Sequence, residues 1–126
     1  IAKAERINTV DALQVDLYDH EAAAPVLDSI AFYKACRLAL TEQGVMTVNL
    51  FGRMASYEKS VEKICKAFGK ENVWAFKPTV EGNAIVLAHR SPRSELRAKL
   101  AENADIIHTR FGLPAQKWLR IFKPVL

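Results

Sequence analysis

Glycine is scarce in this chain of 126 residues. There are five, at positions 44, 52, 69, 82 and 112, and no two stand close enough to make a Gly-x-Gly turn. A nucleotide-binding turn after a first strand needs such glycines, because its backbone must approach the ligand closely. Cysteine is scarcer still. Cys36 and Cys65 are far apart, form no Cys-x-x-Cys pattern and fall on apolar helical stripes. That argues against a disulfide or zinc framework and for reduced core residues in a cytoplasmic protein. There is no Gly-x-Ser-x-Gly elbow and no Cys–His pattern in a supporting context, so neither nucleophilic hydrolase design is encoded. No apolar run approaches the ~20 residues of a membrane span, and no charged-then-apolar leader opens the chain. The chain starts at Ile1 rather than Met and is expected to be part of something longer.

What is present is ordinary globular material, 50% apolar and 25% charged, enough for one domain. Charge is unevenly spread. Residues 1–89 hold 10 Lys+Arg against 11 Asp+Glu, net −1, and residues 90–126 hold 8 against 3, net +5, which together give the +4 of the whole chain. A basic tail can signal nucleic acid. Here Arg90, Arg93, Arg97 and Lys99 share a segment with Leu96, Leu100 and Ile107 at helical spacing. They read as the solvated face of an amphipathic helix, and no nucleic-acid partner is expected.

Asp11 to Asp16 reads as a strand with Leu13, Val15 and Leu17 on one face. After the loop "HEAAAPV", Asp28 or Ser29 can cap a helix whose stripe is Phe32, Ala35, Cys36, Ala39 and Leu40, ending at Gly44. "VMTVNLF", residues 45–51, is a nearly unbroken run of strand formers, suited to a strand covered on both faces. Ser56 opens a second helix with Tyr57, Val61, Ile64, Cys65 and Phe68 on one side, closed by Gly69. "NVWAFKP" and "AIVLAHR" are strands joined by "TVEGN", a short connection that favours an antiparallel hairpin. Ser91-Pro92 can start a long helix carrying Leu96, Leu100, Ala104, Ile107 and Phe111, stopped by Gly112 and Pro114. A last short helix carries Trp118, Leu119 and Phe122, which are expected to dock it. The order β-α-β-α-β-β-α-α is that of an α/β layered sheet with a closing hairpin.

The stretch "VDLYDHE" places Asp16, Asp19 and Glu21 within six residues at the end of the first strand. In open α/β sheets ligands bind beyond the carboxyl ends of the strands. Asp16 and Asp19 are either a solvated strand end and turn, or a pair that holds an ammonium group and accepts its proton. No metal is expected. His20 lacks a favourable ligand spacing, and His89 and His108 lie in other elements.

"DALQVDLYD", then "FYKACRLAL", then "GVMTVNLFG" resembles the second half of the spermidine synthase family, the polyamine aminopropyltransferases. The resemblance rests on a strand ending in Asp-x-x-Asp (Asp16, Asp19) with an Asp five residues earlier (Asp11). It extends to the aromatic pair Phe32-Tyr33, to Gly44-Val45 before the next strand, and to the closing stretch "KPTVEGNAIVLAHRS". It implies the C-terminal half of a methyltransferase-type Rossmann-like sheet, residues 1–126 forming a single partial domain without the Gly-rich nucleotide-binding half. It implies aminopropyl transfer from decarboxylated S-adenosylmethionine, a co-substrate and not a prosthetic group, to an amine such as putrescine. Asp19 would be the catalytic carboxylate that binds the attacking amine and helps to remove its proton, and Asp16 would help to fix the substrates. The loop 20–25, with Ala24 and Pro25, would lie near the nucleoside.

Two departures bear on the acceptor: "DHEAAAP" replaces the family's Pro and Gly after the second Asp, and Val80 replaces its Tyr after Pro-Thr. The competing readings are an S-adenosylmethionine-dependent methyltransferase-like protein and a non-catalytic α/β interaction domain. The expected partners are a small amine and a nucleoside, with no membrane. The isolated chain, holding half a site, is expected to be inactive, and to form a homo-oligomer or associate through a bare sheet edge.

Overall fold

A computed structural model describes residues 7–16, 28–51, 55–92 and 96–125. The elements run β1 (Val10–Asp16), α1 (Ile30–Ala39), β2 (Leu40–Phe51), α2 (Ala55–Phe68), a 3-10 turn (Lys70–Asn72), β3 (Val73–Phe76), β4 (Asn83–His89), α3 (Leu96–Phe111), α4 (Ala115–Arg120) and β5 (Phe122–Pro124). The strands form one sheet in the order β1-β2-β4-β3-β5. β1 and β2 are parallel, and β2–β4, β4–β3 and β3–β5 are antiparallel. This is the expected α/β half-sheet with its closing hairpin, extended by one strand, β5.

Strand alternation decides which face is the core. Val15 of β1, Met46, Val48 and Leu50 of β2, Val73 of β3, and Val86 and Ala88 of β4 are buried together. Tyr33 and Cys36 of α1, and Ile64, Cys65 and Phe68 of α2, cover them. On the other face Val45, Thr47 and Asn49 are half-buried, and Gln14 and Asp16 are exposed. The run 45–51 is therefore sealed on one face and half covered on the other among the described residues. Both cysteines are free and buried, as expected. Burial pushes the Cys36 thiol up to about 11 and raises that of Cys65, which leaves both in the unreactive thiol form near neutrality.

α1 ends at Ala39, not at Gly44. Its last turn is closed from outside the helix. The backbone N–H of Asn8 donates to Leu38 O at 2.9 Å, and that of Thr9 to Ala39 O at 3.0 Å. The Arg90 guanidinium donates to the carbonyls of Leu38 and Leu40. With its orphan carbonyls satisfied by other segments, the chain leaves the helix early and Leu40 pairs with Val10. Gly44 is then needed for space. A Cβ there would sit 2.8 Å from Leu40 Cβ and 2.9 Å from Val10 O.

At the helix start Ser29 is the cap, its Oγ accepting from Phe32 N at 3.1 Å. Gly69, at φ 91°, and Gly112, at φ 68°, end α2 and α3 as expected, in the left-handed region that glycine tolerates. The expected start of α3 at Ser91-Pro92 meets residues 93–95, which lie outside the described set, and the helix is assigned from Leu96. Phe111 is 68% exposed, so it does not continue the apolar stripe.

Phe122 corrects the expected last helix. α4 stops at Arg120, and Phe122 opens β5. Its ring stacks on Trp74 with centroids 5.1 Å apart and leans on Phe76 at 4.7 Å. Phe122 is 4% exposed, whereas Trp118 is 43% exposed. Docking of the C-terminal segment therefore rests on the strand residue. Phe122→Ala is expected to lower unfolding free energy by about 3 kcal/mol, and Trp118→Ala by under about 1 kcal/mol. Urea denaturation of the two variants checks this, and equal losses would show that the helix carries the docking.

Candidate functional site

Because β1 and β2 are parallel, their carboxyl ends meet. Val15 pairs with Val48 and Asp16 with Asn49. Paired residues of adjacent strands point to the same face. Val15 and Val48 face the core, so Asp16 and Asn49 both emerge on the opposite face, about 5 Å apart at the backbone. The Asp16 carboxylate is exposed and Asn49 is half-buried. Asn49 Oδ1 is screened from solvent and accepts no hydrogen bond among the described residues. A buried amide oxygen without a donor costs about 1–3 kcal/mol, so a ligand that supplies N–H groups there is favoured. Carboxylate and amide oxygen side by side suit an ammonium or amine. The sequence reading passed over Asn49. Its signal was a single polar residue in an apolar strand run, with the strand register needed to place it.

The other expected site residues have different fates. Asp19, Ala24 and Pro25 lie within residues 17–27, outside the described set. Asp11 does not join Asp16. Five residues apart on one strand, they stand roughly 17 Å from each other, and Asp11 Oδ1 accepts from Thr41 Oγ1 at 2.8 Å. His89 is buried at the other end of the sheet, opposite Val45, with Nδ1 2.6 Å from Ser91 O. Among the described residues no group of three His, Cys, Asp or Glu side chains could hold a metal ion, and no helix is long and apolar enough to cross a membrane.

Asp28 sits where the segment carrying Asp19, Ala24 and Pro25 enters α1. Its carboxylate accepts from Tyr33 Oη at 2.7 Å, Ser60 Oγ at 2.9 Å and Lys63 Nζ at 3.2 Å. Lys63 Nζ also donates to the Asp28 carbonyl at 2.9 Å. One carboxylate thus ties the chain entering α1 to both helices. Burial by itself would raise its pKa. The hydrogen bonds from Tyr33, Ser60 and Lys63, with the Lys63 charge, outweigh that and hold the carboxyl below its ordinary value. The Tyr33 hydroxyl is pushed up by burial and by the Asp28 bond and charge, so it stays a donor. Its position in the sequence marks Asp28 only as a possible helix cap.

A depressed folded-state pKa means stability that is present above the unfolded value of 3.8 and lost as pH falls through the folded one. Asp28→Asn is expected to cost about 2–3 kcal/mol at pH 7. The gap between wild type and variant should close as pH falls below 3.8. Urea melts between pH 7 and pH 2 measure it, and a pH-independent gap would remove the charge from the account.

No protein-family model matches the chain. It is similar to curated proteins named polyamine aminopropyltransferase. That of Neisseria meningitidis is 29% identical over 118 residues, 93% of this chain and 44% of the relative. That of Chromobacterium violaceum is 29% identical over 106 residues, 83% of this chain and 40% of the relative. The chain thus spans less than half the length of these relatives. Solved structures share its fold. A spermidine synthase in complex with the transition-state analogue AdoDATO superposes with a TM-score of 0.60 at 20% identity, over 71% of this chain and 33% of that one. A probable spermidine synthase from Corynebacterium glutamicum gives 0.58 at 16% identity, over 80% and 40%. The spermidine synthase of Thermotoga maritima gives 0.54 at 20% identity, over 71% and 32%. The resemblance to the spermidine synthase family is thus borne out in both sequence and fold.

Proposed function

We propose that this chain, which is similar to the spermidine synthase (polyamine aminopropyltransferase) family in sequence and fold, is the C-terminal part of a Rossmann-like catalytic domain that transfers an aminopropyl group to an amine. The donor in this reading is decarboxylated S-adenosylmethionine and the acceptor a diamine such as putrescine. The acceptor nitrogen attacks the propyl carbon next to the sulfonium. The new C–N bond forms as the C–S bond breaks, the sulfur keeps the bonding pair, and methylthioadenosine leaves. The proton of the acceptor ammonium has to go to a base.

The observation that carries this reading is the pairing of Asp16 with Asn49 at the shared carboxyl end of β1 and β2. The Asp16 carboxylate attracts the cationic amine, and Asn49 Oδ1, which lacks a described donor, accepts one of its N–H groups. Asp19, three residues beyond Asp16, is assigned the proton transfer. Ala24 and Pro25 are assigned to the nucleoside side.

The donor's nucleoside needs a Gly-rich turn, which these residues do not encode. In this reading the turn is supplied by the portion of the parent protein that these residues do not span. β1 ends the sheet, paired on one side by β2 among the described strands, and its free side is the natural place for additional strands or for association between chains. The 126-residue chain by itself is assigned half the site, with weak donor binding and no turnover.

The test is steady-state kinetics of the full-length protein with putrescine and decarboxylated S-adenosylmethionine. Asp19→Asn is expected to lower kcat by about 10²–10⁴-fold, the range of a general base. Asp16→Asn and Asn49→Ala are expected to raise the amine KM by about tenfold, the effect of one charge-assisted hydrogen bond. Asp11→Asn should leave both constants near wild type. Unchanged kinetics in all three site variants would overturn the assignment. Release of S-adenosylhomocysteine from S-adenosylmethionine, without methylthioadenosine, would point to a methyltransferase instead.

A further inference from the structure

Four segments converge beyond the carboxyl end of β3. They line an open concavity of about 510 Å³ whose walls include Tyr57 of α2, Phe76, Lys77, Arg120 of α4 and Lys123 of β5. The walls are fixed to each other. Lys77 N donates to Ile121 O at 2.9 Å, and Phe122 packs beneath Phe76. Three cations from three segments line this space and no carboxylate does. Among the described residues the ion pairs are Lys63–Asp28, Lys66–Glu62 and Lys99–Glu102, so Lys77, Arg120 and Lys123 have none. Three exposed cations facing one concavity without a carboxylate make a positive potential that attracts an anion. The remaining wall is aromatic and proline-rich, with Tyr57, Phe76, Pro78 and Pro124. It can pack against an organic group that carries the anion.

The place is distinct from the amine site. β3 and β1 lie three strand spacings apart in the sheet, roughly 14 Å at ~4.8 Å per strand. Both lie at the same end of the sheet, because β3 and β2 are each antiparallel to β4.

We propose that the Lys77–Arg120–Lys123 pocket is a binding site for a small phosphate-bearing anion. Arg120 supplies a planar fork for two phosphate oxygens, and the two lysines supply point charges. This site stands independently of the aminopropyl-transfer reading.

The test is calorimetric titration of the full-length protein at low salt with pyrophosphate, inorganic phosphate and phenyl phosphate. Saturable binding of pyrophosphate is expected, one per chain. Lys77→Gln, Arg120→Gln and Lys123→Gln should each weaken it about tenfold. Lys99→Gln, which removes a cation of α3 outside the pocket, should leave it unchanged. Tighter binding of phenyl phosphate than of phosphate supports an organic phosphate held by the aromatic wall, and equal binding supports the inorganic anion. The proposal is overturned if pyrophosphate does not saturate, or if Lys99→Gln weakens binding as much as the pocket variants do. Binding of a single-stranded oligonucleotide without any of the small anions would also overturn it, because the cations would then form part of an extended nucleic-acid surface.

Discussion

The parallel pairing of β1 with β2 is the constraint on which the rest depends. Strand side chains alternate, so register is an all-or-none choice. With Val15 against Val48, the apolar faces of both strands enter one core and Asp16 stands beside Asn49 on the other face. A slip of one residue would bury Asp16 and expose Val15. The burial of Val15, Met46, Val48 and Leu50 therefore holds the acid and the amide side by side at one end of the sheet. Their juxtaposition is a by-product of core packing.

Parallel strands need a crossover, and here the crossover passes residues 17–27 and α1 before returning as β2. Its return is secured by polar contacts that hydrophobic burial does not specify. At one end of α1, Asp28 draws hydrogen bonds from Tyr33, Ser60 and Lys63. At the other end, Asn8, Thr9 and Arg90 satisfy the last helical carbonyls. The first cluster orients the helix pair and the second sets the residue at which the helix becomes strand. Together they fix the length of the crossover, and so the register of the strand that follows it.

The far side of the sheet has a different character. β3 and β4 form a short hairpin, β5 returns to pair with β3 after α3 and α4, and the ring cluster of Trp74, Phe76 and Phe122 closes that edge. Two of the eight cations of residues 90–126, Arg120 and Lys123, lie at this edge. The molecule therefore presents an acidic strand end on one flank of the sheet and a basic concavity on the other.

Local patterns were enough to show the two helices on their apolar stripes, the Gly69 and Gly112 stops, the antiparallel hairpin and Asp16 at a strand end, because each depends on neighbours within one or two turns of the chain. The five widely spaced glycines also showed that no nucleotide-binding turn is encoded here. Tertiary structure decided the rest. Ala39 ends its helix because Asn8, Thr9 and Arg90, distant in sequence, take its carbonyls. Phe122 leaves the helical pattern because its ring is worth more stacked on Trp74. Tyr33, off the expected stripe, is fully buried because Asp28 satisfies its hydroxyl. Asn49 comes to stand beside Asp16 through the strand register. Each of these follows from a hydrogen bond or contact between segments far apart in the chain, and spacing along a sequence carries no record of which distant group will supply it.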